Sequence, residues 1–525
     1  MVTSAGGSRL LAASRAAVLV GAPLLVGVLA FALCRTALLP GVAFWDTAEF
    51  QAVGPLLGTA HPTGFPAYVV LGWLASVVLR PFGEPAFRMN LLSALLVAGA
   101  AAVTVVLVRL LTRSTLIGIA AGFGLAATPI AWTIGTHADP HALHLLLVAV
   151  LLALLVAWER PFARRDDDAG PVARNDRYLV AAAAVFGVAL ANHSLTLLLI
   201  VPVGLYVLAV DHRIWRRGRV VAACLIAVVA TTALLYLELP LRAGILRAPL
   251  VYADPSTWDG FTYIVLAEQF RGSIVDPLGD LPQKFATLVD LVVAQFGILA
   301  ALLPVGFLVT AVRLPKYALL TGLAAAITCF FAASYVNADI TRYYLGPALI
   351  AWTWLAILAG VAVDAGADAI AWDRPRLHAN SRAAAAFLAV VVLLVPSVAA
   401  LHDRSGRVDE SLDTSAQQWT NAALGAMDRD AVVVSWWSYS TPLWYAQRVE
   451  GRRPDIAIVD DRTRLDEHLG EVTDVIDAQL GRRPVYVIRS NETELAALAA
   501  RYRLESVTPG APNLLRVDGT TGARP

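Results

Sequence analysis

The chain has 525 residues, 58% of them hydrophobic and only 15% charged, with a mean hydropathy of +0.65. That balance excludes a soluble globular protein of this length, and a net charge of +1 excludes the basic footprint of a nucleic-acid binder. The three cysteines, Cys34, Cys224 and Cys329, all fall in apolar runs, which excludes a disulfide framework.

Apolar runs of about 20 residues recur over the first four hundred positions, each long enough for a hydrocarbon core ~30 Å thick. About eleven spans are predicted, near 17–39, 89–108, 115–134, 141–158, 178–192, 195–210, 220–239, 291–312, 317–335, 343–363 and 383–401. The first is longer than the apolar region of a cleavable signal peptide, and no small-residue cleavage site clearly ends it. Residues 65–80 are apolar but reach only ~22 Å as a helix. They are read as a helix lying in the outer interface, anchored by Tyr68 and Trp73. Only Asn192-His193-Ser194 separates 178–192 from 195–210, which predicts a tight helical hairpin.

Arginine orients the chain. One set of loops carries Arg109 and Arg113, then Arg160, Arg164, Arg165, Arg174 and Arg177, then Arg213, Arg216, Arg217 and Arg219. It continues with Arg313 and Lys316, and with Arg374, Arg376 and Arg382, whereas the short loops 134–140 and 192–194 have none. By the positive-inside rule this set is cytoplasmic. The expectation is a multi-pass plasma-membrane protein with a cytoplasmic N-terminus and an extracytoplasmic tail. Residues 1–401 form the polytopic domain, and 402–525 a soluble domain. In that tail, AVVVSWW (431–437), DIAIVD (455–460) and PVYVIRS (484–490) suit buried parallel strands. Helical stretches alternate with them, the last behind a predicted N-cap, Asn491. This predicts a βαβ-type α/β domain, and the absence of G-x-G-x-x-G assigns it no dinucleotide.

Between the first two predicted spans lies FWDTAEFQAVGPLLGTAHPTGFP (44–66). Asp46 and Glu49 stand one helical turn apart just beyond the membrane, where acids cost free energy unless something uses them. The functional reading makes Asp46 a general base and gives Glu49 an acceptor or a cation; the ordinary alternative is that they charge a helix N-terminus. His61, in a rigid Pro/Gly turn, either ties down that loop or touches substrate. Asp139, in THADPHALH, is equally a helix cap followed by Pro140 or an acid facing Asp46 across a cavity. His141 with His144 has metal-compatible spacing, but no further ligand context supports a metal and none is assigned. Asn192 and His193 sit on the predicted hairpin tip. On the outer side Arg242, Arg247, Arg271 and Arg342 are candidates for phosphate, against the ordinary alternative of snorkelling to lipid headgroups.

Several blocks in order carry a family resemblance: WDTAEF, AHPTGFPAY and GEPAFRMNLLSAL within 45–95, NHSLTLLLIVP (192–202), LPLRAGILRAPLVYADPSTWDGFTYIVLAEQFRG (239–272) and WYAQRVEGRRPDIAIVD (444–460). The chain resembles membrane proteins of the DUF2723 type, which include a vertebrate transmembrane O-mannosyltransferase and are similar to glycosyltransferases of the C type. It departs from the family pattern at Thr47-Ala48, where Ser-Gly is usual. It departs again at Asp139-Pro140-His141, where a Glu and a Val-Tyr pair are usual.

The resemblance implies a mainly α polytopic fold of the glycosyltransferase-C type. It implies an inverting transfer of a sugar, mannose for example, from a polyprenyl-phosphate donor to an acceptor hydroxyl at the outer face. Asp46 would be the base, with Glu49 beside it. His61, Asp139, His141, Asn192 and His193 would hold acceptor or sugar, and Arg242, Arg271 or Arg342 the phosphate. Expected partners are membrane lipid, the lipid-linked donor and a protein or glycan acceptor, with no nucleic acid. No cofactor beyond the donor is implied. A cell-wall or lipid-linked glycan acceptor is the nearest alternative. A transporter would show charged mid-span residues and inverted repeats, and a non-catalytic scaffold would not need the two acids.

Overall fold

The computed structural model describes residues 4–159, 175–336, 339–371 and 378–522. Arg160, Arg164, Arg165, Arg174, Arg374 and Arg376, used above for orientation, lie outside the described residues.

Helix α1 (Ser4–Thr36) leads into α2 (Trp45–Leu56) and α3 (Pro66–Val78), then α4 (Pro85–Thr112) returns across the bundle. Next come α5 (Thr115–Ala126), α6 (Pro129–Ile134), α7 (Pro140–Glu159), α8 (Asp176–Leu190) and α9 (Ile200–Val210). Then follow α10 (Gly218–Tyr236), the single turn α11 (Glu238–Pro240), α12 (Trp258–Val265), α13 (Leu281–Phe296), α14 (Leu303–Arg313), α15 (Pro315–Ser334), α16 (Leu345–Ala371) and α17 (His378–Ala399). Among the described residues, eight helical stretches are long and apolar enough to cross a membrane. The other three predicted spans fall on shorter helices: α5 with α6, α8, and the stretch Ser194–Val210.

The bundle is apolar outside as well as inside. On α10, Leu225, Ile226, Val229 and Leu234 are all exposed, and no residue of that helix is buried. Apolar faces of this extent are incompatible with water and suit lipid. Helix α3 has the predicted short length, but its two supposed anchors differ. Trp73 is 41% exposed, whereas Tyr68 is fully buried with its hydroxyl 3.3 Å from Ser93 Oγ. Tyr68 therefore packs the core, because Phe50 and Ser93 lie on its side of the helix.

After α18 (Leu401–Val408), the tail helices α19 (Ser415–Ala426), α20 (Trp437–Trp444), α21 (Asp461–Asp466), α22 (Val472–Gln479) and α23 (Glu492–Arg501) accompany a five-stranded sheet. Strands β1 (Val432–Val434), β2 (Ala457–Val459) and β3 (Val485–Ile488) are parallel, with Val432 opposite both Ala457 and Val485. These are the three apolar runs of the sequence. Two further strands, β4 (Tyr502–Ser506) and β5 (Leu514–Thr520), extend the sheet antiparallel in the order β2-β1-β3-β5-β4. Asn491 caps α23, its side chain accepting from the N–H groups of Thr493 and Glu494.

Helix α18 belongs physically to the bundle as much as to the tail. Arg404 is buried and donates to the carbonyls of Ala127 (2.6 Å) and Gln295 (2.9 Å), satisfying helix-end acceptors that have no partner of their own. Further on, Glu410 accepts from Thr136 and lies 3.0 Å from His137 Nδ1. Burial alone would lower the His137 pKa, but the charge of Glu410 and its hydrogen bond outweigh that and raise it above the ordinary imidazole value. The pair therefore stabilises fully below about 6.5, the unfolded value, and the stabilisation disappears as pH rises through the raised folded value. Glu410→Gln is expected to cost about 1 kcal/mol at pH 6 and little at pH 9, read as melting temperature in detergent. An equal loss at both pH values would remove the imidazolium from the contact.

Candidate active site

Helix α2 begins abruptly. Phe44 is extended and offers no side-chain cap, and Trp45 sits in the left-handed region with φ 58°. That kink turns the first helical turn, and Asp46 with it, toward a cavity of about 560 Å³ at one end of the bundle. Asp46 accepts from Arg342 Nη2 (3.1 Å) on one oxygen and from Trp437 Nε1 (3.0 Å) on the other. Arg342 stands in a tight turn just before α16, and its second nitrogen, Nη1, binds Asp139 Oδ2 at 3.2 Å. One guanidinium thus bridges two carboxylates that are 93 residues apart in the chain, in the forked geometry that Lys cannot supply.

Asp139 is 3% exposed. Its other oxygen accepts from the backbone N–H of His141 (2.6 Å) and from His141 Nδ1 (2.7 Å). It caps α7, and it meets Asp46 through Arg342 and not across the cavity, which it does not line. His141 stacks on Tyr343 at 5.4 Å and lies 4.5 Å from the His193 ring. Asp46, His61, His141, His193, Arg342 and Trp437 all line the cavity.

Glu49 does not. It is 1% exposed and is committed to His61, accepting from its backbone N–H at 2.8 Å and pairing with its Nδ1. The helical spacing places both acids on one side of α2, but Glu49 points down into the core while Asp46 points out. Its part is to fix the His61 ring. The turn that brings His61 back is closed by Gly64, whose N–H donates to the His61 carbonyl at 2.7 Å with φ +79°.

Two of the phosphate candidates are used elsewhere. Arg242 donates to the carbonyls of Leu57 (2.6 Å) and Leu56 (2.9 Å), capping the end of α2. Arg271 is exposed and pairs with Glu268, while its neighbour Phe270 lines the cavity. Asn192 is buried, donating to the Pro140 carbonyl at 3.0 Å, and so ties the α8–α9 turn to the start of α7. Among the described residues no group of three or more His, Cys, Asp or Glu could hold a metal ion.

The scaffold under the site comes from RMNLLS in α4. Asn90 donates to the Leu39 carbonyl (3.0 Å) and accepts from Gln51 (2.8 Å) and from the Ala138 N–H (3.0 Å). Ser93 Oγ accepts from the Asp139 N–H at 3.1 Å. Two polar side chains thus hold both acid-bearing loops in place. Sequence reasoning missed these two and Trp437. Asn90 and Ser93 carried a signal, two polar residues three apart in an otherwise apolar span.

Burial raises the pKa of both aspartates, but it is outweighed. For Asp46 the charges of His61 and Arg342 and the hydrogen bonds from Trp437 and Arg342 hold it below the usual range. For Asp139 the charge and hydrogen bond of His141 and the charge of Arg342 hold it well below. Burial also lowers the His61 imidazole, yet the charges of Glu49 and Asp46 raise it overall. The site at neutral pH therefore holds two ionised carboxylates on one guanidinium, beside an imidazole biased toward its cation.

Residues 46–216, which carry Asp46, His61, Asp139 and His141, match the family described as the protein O-mannosyl-transferase TMEM260 N-terminal domain. The mouse protein O-mannosyl-transferase TMEM260 is 26% identical over 434 residues, covering 79% of this chain and 59% of the mouse protein. The crystal structure of ArnT from Cupriavidus metallidurans bound to undecaprenyl phosphate superposes with a TM-score of 0.58 at 16% identity, over 96% of this chain and 99% of that one. This chain has the multi-pass fold of the glycosyltransferase-C type, and over residues 46–216 it is similar to the O-mannosyl-transferase TMEM260 family. The oligosaccharyltransferase of Archaeoglobus fulgidus, solved with a tethered acceptor peptide, shares the fold with a TM-score of 0.54 at 15% identity, over 96% of this chain and 74% of that one. The chain spans about three-fifths of the length of the mouse relative. Its glycosyltransferase-C architecture is thus a multi-pass helical bundle with helix α20 of the tail against the cavity end.

Proposed function

We propose that the chain is an inverting glycosyltransferase that moves a sugar, mannose being the first candidate, from a polyprenyl-phosphate donor to a protein hydroxyl at the outer membrane face. The observation that carries this reading is Arg342 bridging Asp46 on the cavity wall to the buried Asp139 behind it. The acceptor hydroxyl gives its proton to Asp46 while its oxygen attacks the anomeric carbon. The bond from that carbon to the phosphate oxygen breaks, and its electron pair leaves with the polyprenyl phosphate. Arg342, bidentate by nature, neutralises the charge that builds on the departing phosphate. As Arg342 turns to that phosphate, Asp46 loses part of what holds its pKa down and becomes the stronger base. His61, fixed by Glu49, and His141, fixed by Asp139, orient hydroxyls of sugar and acceptor.

Chain direction supports the outer face. Helix α4 carries Asn90 and Ser93 at the cavity end and Arg109 near the other, and the arginine-rich loop 211–219 follows α9, which starts at the cavity end. One experiment tests chemistry and sidedness together. The purified protein is placed in vesicles with radiolabelled polyprenyl-phosphate mannose, and an acceptor domain is supplied inside or outside. Label is expected only on acceptor exposed to the same side as a protease-cleavable tail. No label on either side would overturn the transferase reading, and label on the opposite side would overturn the topology.

A further inference from the structure

The tail does more than hang over the cavity. Helix α20 packs along α2, with the Phe44 ring against Tyr439 (5.3 Å) and Trp419 (5.9 Å) and Trp45 edge-on to Trp436 (5.2 Å). Trp437, the first residue of α20, is pinned by three rings: His61 at 5.8 Å, Tyr252 at 5.7 Å and Trp444 at 5.5 Å. Its one polar atom, Nε1, ends on Asp46 Oδ1 at 3.0 Å. An indole that only filled space would be free to aim its N–H at water or a carbonyl; here the rings aim it at the acid.

We propose that Trp437 is a positioning residue for Asp46, so that the C-terminal domain completes the catalytic centre by setting the orientation and acidity of the base. This rests on the transferase reading for the role of Asp46. A hydrogen bond to the ionised carboxylate favours that form and, with Arg342 on the other oxygen, fixes the plane of the group. The charged groups facing Asp46 are Arg342 from the turn before α16, His61 from the loop after α2, Glu49 on its own helix, and Asp139 and Asp339 behind Arg342. All of them remain when the indole N–H is removed, so one contribution is tested at a time.

The test uses the full chain with Trp437→Phe, and a second variant carrying benzothienylalanine at position 437, which keeps the two-ring shape and replaces N–H by sulfur. Two readouts are taken: the pH profile of transfer, and the infrared titration of the Asp46 carboxyl, identified by difference against Asp46→Asn. Loss of the N–H raises the Asp46 pKa, so the acid limb should move up by about half to one pH unit in both variants. kcat should fall about tenfold with KM for the donor unchanged. An unmoved Asp46 titration in the benzothienyl variant would overturn the proposal, as would a shift confined to Trp437→Phe, which would make the indole packing alone. A shifted infrared titration in a protein that transfers nothing would leave the positioning intact and overturn the transferase reading instead.

Discussion

Asp46→Asn is expected to lower kcat by about 10²- to 10⁴-fold, the range that a positioned general base contributes. The amide has almost the volume of the carboxylate and its oxygen can still accept from Trp437 or Arg342, so the local packing survives. What disappears is the lone pair able to take a proton. Arg342 keeps Asp139 as its partner at 3.2 Å, and the melting temperature should change by only a few degrees. KM for the donor should hold or fall, because Arg342 is then shared by one carboxylate fewer. Measuring kcat and KM separately decides the point: a variant with normal turnover would remove Asp46 from the mechanism.

Arg342→Ala should damage both chemistry and stability. The guanidinium is largely buried, and with it gone Asp46 and Asp139 lose the cation that bridges them. Breaking a buried ion pair from one side costs about 3–5 kcal/mol, because the surviving charge stays in a poor solvent. Asp46 would lose one of the groups that hold its pKa down, and the departing phosphate would lose its counter-charge. The expected result is a loss of at least about 10²-fold in kcat/KM and a clearly lower melting temperature. Arg342→Lys separates the two effects. An ammonium is a point charge that cannot reach both carboxylates in one plane, so stability should recover more than turnover does. Equal recovery of both would mean that charge alone, without the fork, is what the site needs.

How much of this was written in the sequence differs residue by residue. The spans were legible because water excludes long apolar runs wherever they fold. Asp46 and Asp139 were legible for the same reason in reverse, as acids at span ends. Arg342 could not be singled out from Arg242 and Arg271, because every outer arginine has lipid headgroups as an ordinary partner. Only the fold reveals that Arg242 caps a helix and Arg271 stays exposed. The depth of Glu49 was illegible too, since a spacing of three tells which side of a helix a residue shares and not how far that side is buried. Strands β4 and β5 escaped because YRLES and LLRVDGT carry polar residues on the open face of an antiparallel pair, with no unbroken apolar run. Trp437 lies 391 residues from Asp46, and no local sequence pattern links the two.

The two-to-one ratio of carboxylate to guanidinium has a consequence for how a donor arrives. A phosphate site lined with lysines draws its anion in from a distance, and added salt weakens it. Here Arg342 is already shared between two carboxylates, so a phosphodiester entering the cavity must compete with them for the guanidinium. On the proposed transferase reading, binding then leans on the lipid chain and on contacts made at close range, and added salt should weaken it little. A free sugar phosphate, with no lipid chain to hold it while it displaces the carboxylates from Arg342, would be a poor competitor.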